Sequence, residues 1–425
     1  MISLNFQKLF SSSAKYFLSN ILAAVLPFLL LPILTRYLSV SQYGEVAIFQ
    51  TLLTGLLAFI GFSAQGAAAV KFYDKNLPQP EYSYFIGSCF LILAISAMCV
   101  VPLFMIFLSQ LATWLSLGEG WILLSIPVAA SSFIILMRMG QWQLKGSANI
   151  YGAFQVSQSV INIFLSLFFI LILDWGGDGR ILALSLTSVI FAIISVLLLY
   201  KDKALNIAWR PLYIKEICLF GVPLIPHSLG YFILGSVDRL VINSKLGLGD
   251  VGIFVVAMQL VSIAGLFFDA LNNAYIPWLY ELLKRNQPEE KKLIVKFTYA
   301  YAFILMCLVM LSFYIGPKLL ILIAGERYKS AAELVGWLML GQAFNGMYLM
   351  VTNYVFFSKK TGLLSVSTIS VGIVYIGLLY LLIPHLGLKG AAVAFALSMA
   401  LKFLFTWYIA HLRYPMPWLT FHRSI

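Results

Sequence analysis

Twelve apolar runs, separated by short connections, dominate this sequence. They lie at about 16–35, 44–66, 84–108, 121–139, 150–173, 181–200, 214–237, 251–277, 294–315, 331–357, 363–383 and 390–411. Roughly 20 mostly apolar residues cross the hydrocarbon core of a bilayer as one helix, and a helix satisfies its backbone polar groups internally. Of the 425 residues, 61% are hydrophobic and 10% charged, whereas a soluble domain carries about a quarter charged residues. A water-soluble core cannot absorb that much apolar surface, so the solvent is lipid. The expected class is an all-α integral membrane protein with about 12 transmembrane helices. The connections, longest near 67–83, 201–213 and 278–293, leave no room for a soluble catalytic domain.

The net charge of +12 does not signal nucleic acid, because the basic residues sit in short loops between apolar runs. Of the 28 Lys and Arg, 19 fall on the side holding both termini and eight on the other, with Lys402 inside a span. By the positive-inside rule both termini are cytoplasmic. Seven of the nine tryptophans lie in loops or near span ends, as an interfacial belt requires. The first run is too long for a signal-peptide core, so no presequence is expected. Cys89, Cys99, Cys218 and Cys307 form no CxxC pattern and are scattered like the four histidines, which predicts neither a disulfide nor a metal framework.

The even number of spans suggests two halves, 1–205 and 206–425, each a six-helix bundle. A shift of 208 residues pairs Leu38 with Leu246, Gly44 with Gly252, Leu52 with Leu260 and Phe59 with Phe267. Because each half holds an even number of spans, the repeat is parallel, with its axis along the membrane normal.

Pro32-Ile33-Leu34-Thr35-Arg36-Tyr37-Leu38-Ser39 followed by Tyr43-Gly44 resembles the signature of the polysaccharide-repeat flippases (Wzx type). Gly221-Val222-Pro223, Val237-Asp238-Arg239, Leu246-Gly247 and Val251-Gly252 resemble that family's seventh-to-eighth-span segment, and Leu386-Gly387-Leu388-Lys389-Gly390-Ala391-Ala392 its entry to the last span. Ser39 stands where the family usually has Gly, and Gly176-Gly177-Asp178-Gly179-Arg180 replaces a Gly-Ala-Ala form. The resemblance runs nearly end to end. It implies a MATE-like fold, with the two bundles around a central V-shaped cavity. It also implies a polyprenyl-diphosphate-linked oligosaccharide (an O-antigen or related surface-polysaccharide unit) carried from the cytoplasmic to the periplasmic leaflet of a bacterial inner membrane. A polysaccharide polymerase and a chain-length regulator would be partners.

Ionisable groups inside spans are costly and therefore informative. Asp269 lies well inside the eighth span, with Asn272 and Asn273 three and four residues on. It is a candidate for coupling to H+ or Na+, or for accepting sugar hydroxyls. The alternative is a helix-packing hydrogen bond. Lys402, midway along the last span, could neutralise a diphosphate, pair with an acid such as Asp269, or snorkel. Arg36 and Arg239, at the ends of the first and seventh spans, could attract diphosphate through a bidentate guanidinium. They could equally anchor the interface, with Asp238 as a structural partner of Arg239. Arg138 reads as a topology determinant. Gln155, Gln158 and Asn162 form a polar stripe that faces either a sugar-wetted cavity or a neighbouring helix. Pro27, Pro32, Pro223 and Pro226 mark kinks, and His227 after Pro226 reads as packed rather than as a proton switch.

Other classes fit less well. A cation-coupled multidrug exporter of the same superfamily would want acidic groups without Lys402 among them. A glycan polymerase or ligase would want a large periplasmic loop, and a lipid II flippase fourteen spans. No P-loop is present, which predicts that this chain does not hydrolyse ATP. No cofactor is expected beyond a possible coupling ion.

Overall fold

The computed structural model describes residues 19–418 other than 21, 24, 75–77 and 361. Lys8, Lys15, Lys75 and Arg423 of the charge count, His422, and the start of the first apolar run lie outside the described residues. The described residues are helical, with no strand among them. Nine of their helices are long and apolar enough to cross a membrane. A tenth arises if Glu326–Ala332 and Val335–Phe357, bent by 51°, form one span. The chain divides into two compact units, Met1–Phe232 and Ile233–Ile425.

The first unit begins with α1 (Val25–Tyr37) and α2 (Val40–Leu56). Ser39 caps α2 through a capping box: its hydroxyl accepts the Gln42 N–H at 3.1 Å, and the Gln42 side chain accepts the Ser39 N–H at 2.9 Å. The apolar run 44–66 does not form one straight span, because the helix stops and restarts as α3 (Ala64–Phe72). Gly61, Phe62 and Ser63 have φ of 82°, 45° and 52°. Consecutive residues in the left-handed region cannot continue a right-handed helix. Irregular backbone at membrane depth survives where protein buries it: the Gly61 N–H donates to Ser96 Oγ at 2.9 Å, and that serine donates to the Leu93 carbonyl.

Four spanning elements follow: α4 (Gln79–Ile106), α6 (Glu119–Leu144), α7 (Ala148–Leu167) and α8 (Gly176–Lys201), with a short α5 (Leu108–Leu115) after α4. A five-residue π-helical turn, Phe168–Ile172, extends α7. Then α9 (Pro211–Gly221) and α10 (Ile225–Leu246) are joined by a 3₁₀ turn at Val222–Leu224, where Pro223 removes a donor from the α ladder. The Phe62 carbonyl occupies the space where a Cβ at Gly221 would stand. Glycine thus lets α9 pack against the break in the second run, which gives the Gly221-Val222-Pro223 motif a steric reason. Tyr213 donates to Glu81 at 2.6 Å and Lys71 to Glu216 at 3.0 Å, which fasten α9 to α3 and α4. Phe85, Ile86, Phe133, Met137 and Ile217 form the apolar core beneath.

The second unit contains most of α10, then α11 (Leu248–Arg285), α12 (Pro288–Ala324), a short α13 (Lys329–Ala332), α14 (Val335–Phe357), α15 (Gly362–Leu386) and α16 (Leu388–Arg413). At 38 residues α11 is about 57 Å long, so it extends beyond the hydrocarbon. The charges gather at its far end, where Arg285 pairs with Glu281 and Glu290. Small residues let α14 and α16 approach: Phe395 and Ala396 lie directly against Gly341. Tyr275, Leu279, Val351, Tyr354 and Trp418 complete the core.

Ser96→Ala leaves the buried Gly61 N–H without its acceptor, a loss of about 1–3 kcal/mol. Thermal melting in detergent should show a lower transition for this variant than for Ser88→Ala, whose hydroxyl serves only its own helix. Equal melting of the two would contradict a stabilising role for the Gly61–Ser96 bond.

Candidate functional site

The polar groups of the spans fall into one set in each unit. In the second unit, Lys402 of α16 places its ammonium 3.8 Å from the centre of the Tyr348 ring and 3.5 Å from Asn345 Oδ1, both on α14. A cation over an aromatic face replaces part of its lost hydration. Asp269 of α11 is within electrostatic range of Lys402, yet the two are not an ion pair at 4.0 Å. Its carboxylate is exposed, and Asn273, one turn further, is exposed beside it.

The expected grouping of Asp269, Asn272 and Asn273 on one face is split. Asn272 is 9% exposed and accepts a 2.8 Å hydrogen bond from Asn353 Nδ2 on α14. Adjacent residues on a helix point about 100° apart. Asn272 therefore turns into the bundle as helix glue while Asn273 turns out.

The two expected arginines behave differently. Arg36, exposed at the end of α1, has no hydrogen-bond or ion-pair partner among the described residues. Arg239 does not end its span, because α10 continues to Leu246, and its guanidinium donates to the Gly235 carbonyl at 2.9 Å. Asp238 is not the ion-pair partner of that side chain. It is 2% exposed, takes the backbone N–H of Arg239 at 2.8 Å, and accepts from the Tyr375 hydroxyl of α15 at 2.9 Å.

In the first unit, Asn162 of α7 is the centre of a buried network. Its Oδ1 accepts from Arg180 Nη1 at 2.8 Å, and its amide donates to Thr187 Oγ1 at 3.3 Å. Arg180 also bonds Ser166. Gln158 and Asn162 line one small cavity, whereas Gln155 lies a turn away with a buried, unpartnered Oε1.

Two arginines lie deeper than the apolar runs alone suggest. Arg180 counted only as a loop charge, but α8 begins at Gly176, which carries it inside, where it is 6% exposed. The glycine-rich run ahead of it, which lets the chain fold tightly against Gln42, was the available signal. Arg138, expected as a topology determinant, is 2% exposed, pairs with Asp202 and stacks over Trp142 at 4.4 Å. Among the described residues no cluster of three or more His, Cys, Asp or Glu could hold a metal ion.

The model of a family described as "Polysaccharide biosynthesis protein" matches residues 10–283. The capsular polysaccharide biosynthesis protein CapF of Staphylococcus aureus is 27% identical over 394 residues, covering 90% of this chain and 94% of that one. The probable low-salt glycan biosynthesis flippase Agl15 of Haloferax volcanii is 22% identical over 408 residues, covering 92% and 81%. Among solved structures, the lipid II flippase MurJ in an inward closed conformation superposes with a TM-score of 0.73 at 14% identity, covering 94% of this chain and 87% of that one. An inward-facing multidrug resistance MATE family transporter of the MOP superfamily gives 0.72 at 18% identity, covering 92% and 94%. This chain thus has the MATE- and MurJ-type membrane fold.

If Asn272 is packing glue, a double-mutant cycle of Asn272→Ala and Asn353→Ala should return a coupling of about 0.6–1.7 kcal/mol, the range for interhelical bonds in membranes. Additive losses would remove the bond from the stability of the second unit.

Proposed function

Because this chain belongs to the polysaccharide biosynthesis protein family, we propose that it is a flippase for polyprenyl-diphosphate-linked oligosaccharides. It carries repeat units of a surface polysaccharide, an O-antigen among them, from the cytoplasmic to the periplasmic leaflet of a bacterial inner membrane. Both termini are cytoplasmic, and a polymerase and a chain-length regulator act next. A family match over 10–283, a relative named as a flippase and a MurJ-like fold support this reading.

The observation that carries it is Lys402. A lysine at the centre of a spanning helix costs about 2.5–3.5 kcal/mol on insertion scales. The chain keeps it there against Asn345 and Tyr348, with Asp269 nearby but not neutralising it in a close pair. The sugars and diphosphate of the substrate cannot cross hydrocarbon unaided, while the polyprenyl tail can remain in it. A cation at mid-depth offers the diphosphate a counter-charge, and exposed Asp269 and Asn273 on α11 offer the sugars polar groups. Arg36 in the first unit and Arg239 in the second are each a further candidate to attract the diphosphate. Asp269 is the site at which an H+ or Na+ gradient couples to transport. An exporter of organic cations would be served worse by the same face, because Lys402 repels its cargo.

Transport of a labelled polyprenyl-diphosphate oligosaccharide into reconstituted vesicles tests this. Loss of one charge-assisted contact is worth about 1.5–3 kcal/mol, so Lys402→Gln should slow transport roughly 10–100-fold. Asn272→Ala should slow it far less. Asp269→Asn should abolish the response to an imposed ion gradient. Wild-type rates in Lys402→Gln would remove the lysine from the mechanism.

A further inference from the structure

A half-open pocket of about 190 Å³ in the first unit is lined by Pro27 and Leu30 of α1, Gln158, Ser159 and Asn162 of α7, and Ser188 of α8, among others. That is smaller than the roughly 300–1,000 Å³ of sites for drug-sized ligands. Its hydrogen-bonding polarity is set by the helices. Ser159 gives its proton to the Gln155 carbonyl at 3.2 Å, and Ser188 gives its proton to the Leu184 carbonyl at 3.0 Å. Thr187, also in the wall, donates to the Ala183 carbonyl at 2.7 Å. These hydroxyls therefore offer lone pairs rather than protons. Gln158 makes no hydrogen bond among the described residues, so its amide has an acceptor and two N–H donors free to serve the pocket, and a sugar hydroxyl can both give to and take from it. Pro27 and Leu30 of α1, with Ile163 and Leu184, supply the apolar part of the lining.

The hydroxyl lone pairs taken by themselves would also suit a metal cation or an ammonium group. Arg180 argues against both. Its guanidinium is buried, has no carboxylate within ion-pair distance among the described residues, and sits one hydrogen bond behind Asn162. It fixes the Asn162 amide through Oδ1 and sends a positive field into the cavity. The ligand must then be uncharged, rich in O–H donors, small, and apolar on one face. A pyranose has those properties: hydroxyls around its rim and a C–H face to lie on Pro27 and Leu30.

We propose that this cavity is a subsite for one neutral sugar ring of the transported glycan, held through its hydroxyl protons. The proposal rests on the flippase reading and assigns it a sugar contact separate from the Lys402 face.

Saturation-transfer NMR on the full chain in nanodiscs of neutral lipid tests it. The probes are glucose, galactose and N-acetylglucosamine, with sodium or potassium as the salt. Transfer to at least one sugar is expected, falling severalfold in the double variant Ser159→Ala/Ser188→Ala and unchanged between the two salts. Three results would overturn the subsite: no transfer to any sugar, the mark of a cavity that holds water only; equal transfer in the double variant; or competition by sodium. A melting curve for the double variant close to wild type confirms that it folds. The Gln158→Leu variant repeats the comparison at a residue with no structural hydrogen bond. Failure of the wild type to move lipid-linked oligosaccharide, with sugar transfer intact, would strike the flippase reading alone. Normal transport by the double variant, with its sugar transfer unchanged, would strike only the subsite.

Discussion

Lipid offers no hydrogen bonds, so each polar atom at membrane depth must find its partner within the protein. Most features of this chain follow from that constraint. Spanning helices satisfy their own backbone. Serines and threonines along them return protons to carbonyls three or four residues back, as Thr35, Thr51, Ser185 and Ser195 do. Where the backbone departs from the helix at Gly61, a serine from α4 is already in place to receive the freed N–H. Where charge enters, it is enclosed: Arg138 by Asp202 and Trp142, Arg180 by Asn162 and Ser166.

Against that background the exposed polar groups of the spans stand apart. Asn272 and Asn353 consume one another. Asp269 and Asn273, on the same helix, do not, and Lys402 is only half-buried. A helix that spent polar side chains on lipid would lose stability without compensation. Aqueous surroundings remove that cost, so the exposure of Asp269 and Asn273 is what the proposed transport of a polar head group requires of the second unit. The first unit differs in kind, with its arginine Arg180 buried behind Asn162.

The sequence made the architecture legible through the length and composition of the apolar runs, because span length is fixed by bilayer thickness and helical rise. It did not show that the run at 44–66 breaks in two. Hydropathy registers composition, whereas the break follows from φ at Gly61, Phe62 and Ser63 and from a distant serine. The continuation of α10 past Arg239 was hidden because the polar residues Asp238, Arg239 and Asn243 end the apolar run without ending the helix. At the site, periodicity places Asp269, Asn272 and Asn273 close together but does not say which turns inward, since that depends on Asn353, 81 residues from Asn272 in the chain. Arg180 precedes the apolar run that begins at about 181, but its helix starts at Gly176, and those extra residues take a seeming loop charge into the interior.

The central claim is that the Asp269–Asn273 face meets water rather than lipid. Its most direct test is cysteine accessibility, in a chain whose four native cysteines are replaced. Asn273→Cys and Phe267→Cys, both exposed positions on α11, would be treated in proteoliposomes with a charged, membrane-impermeant thiol reagent. Rapid modification at 273 with slow modification at 267 is the predicted result. Slow modification at both, with 273 reacting only with lipid-soluble reagents, would contradict it.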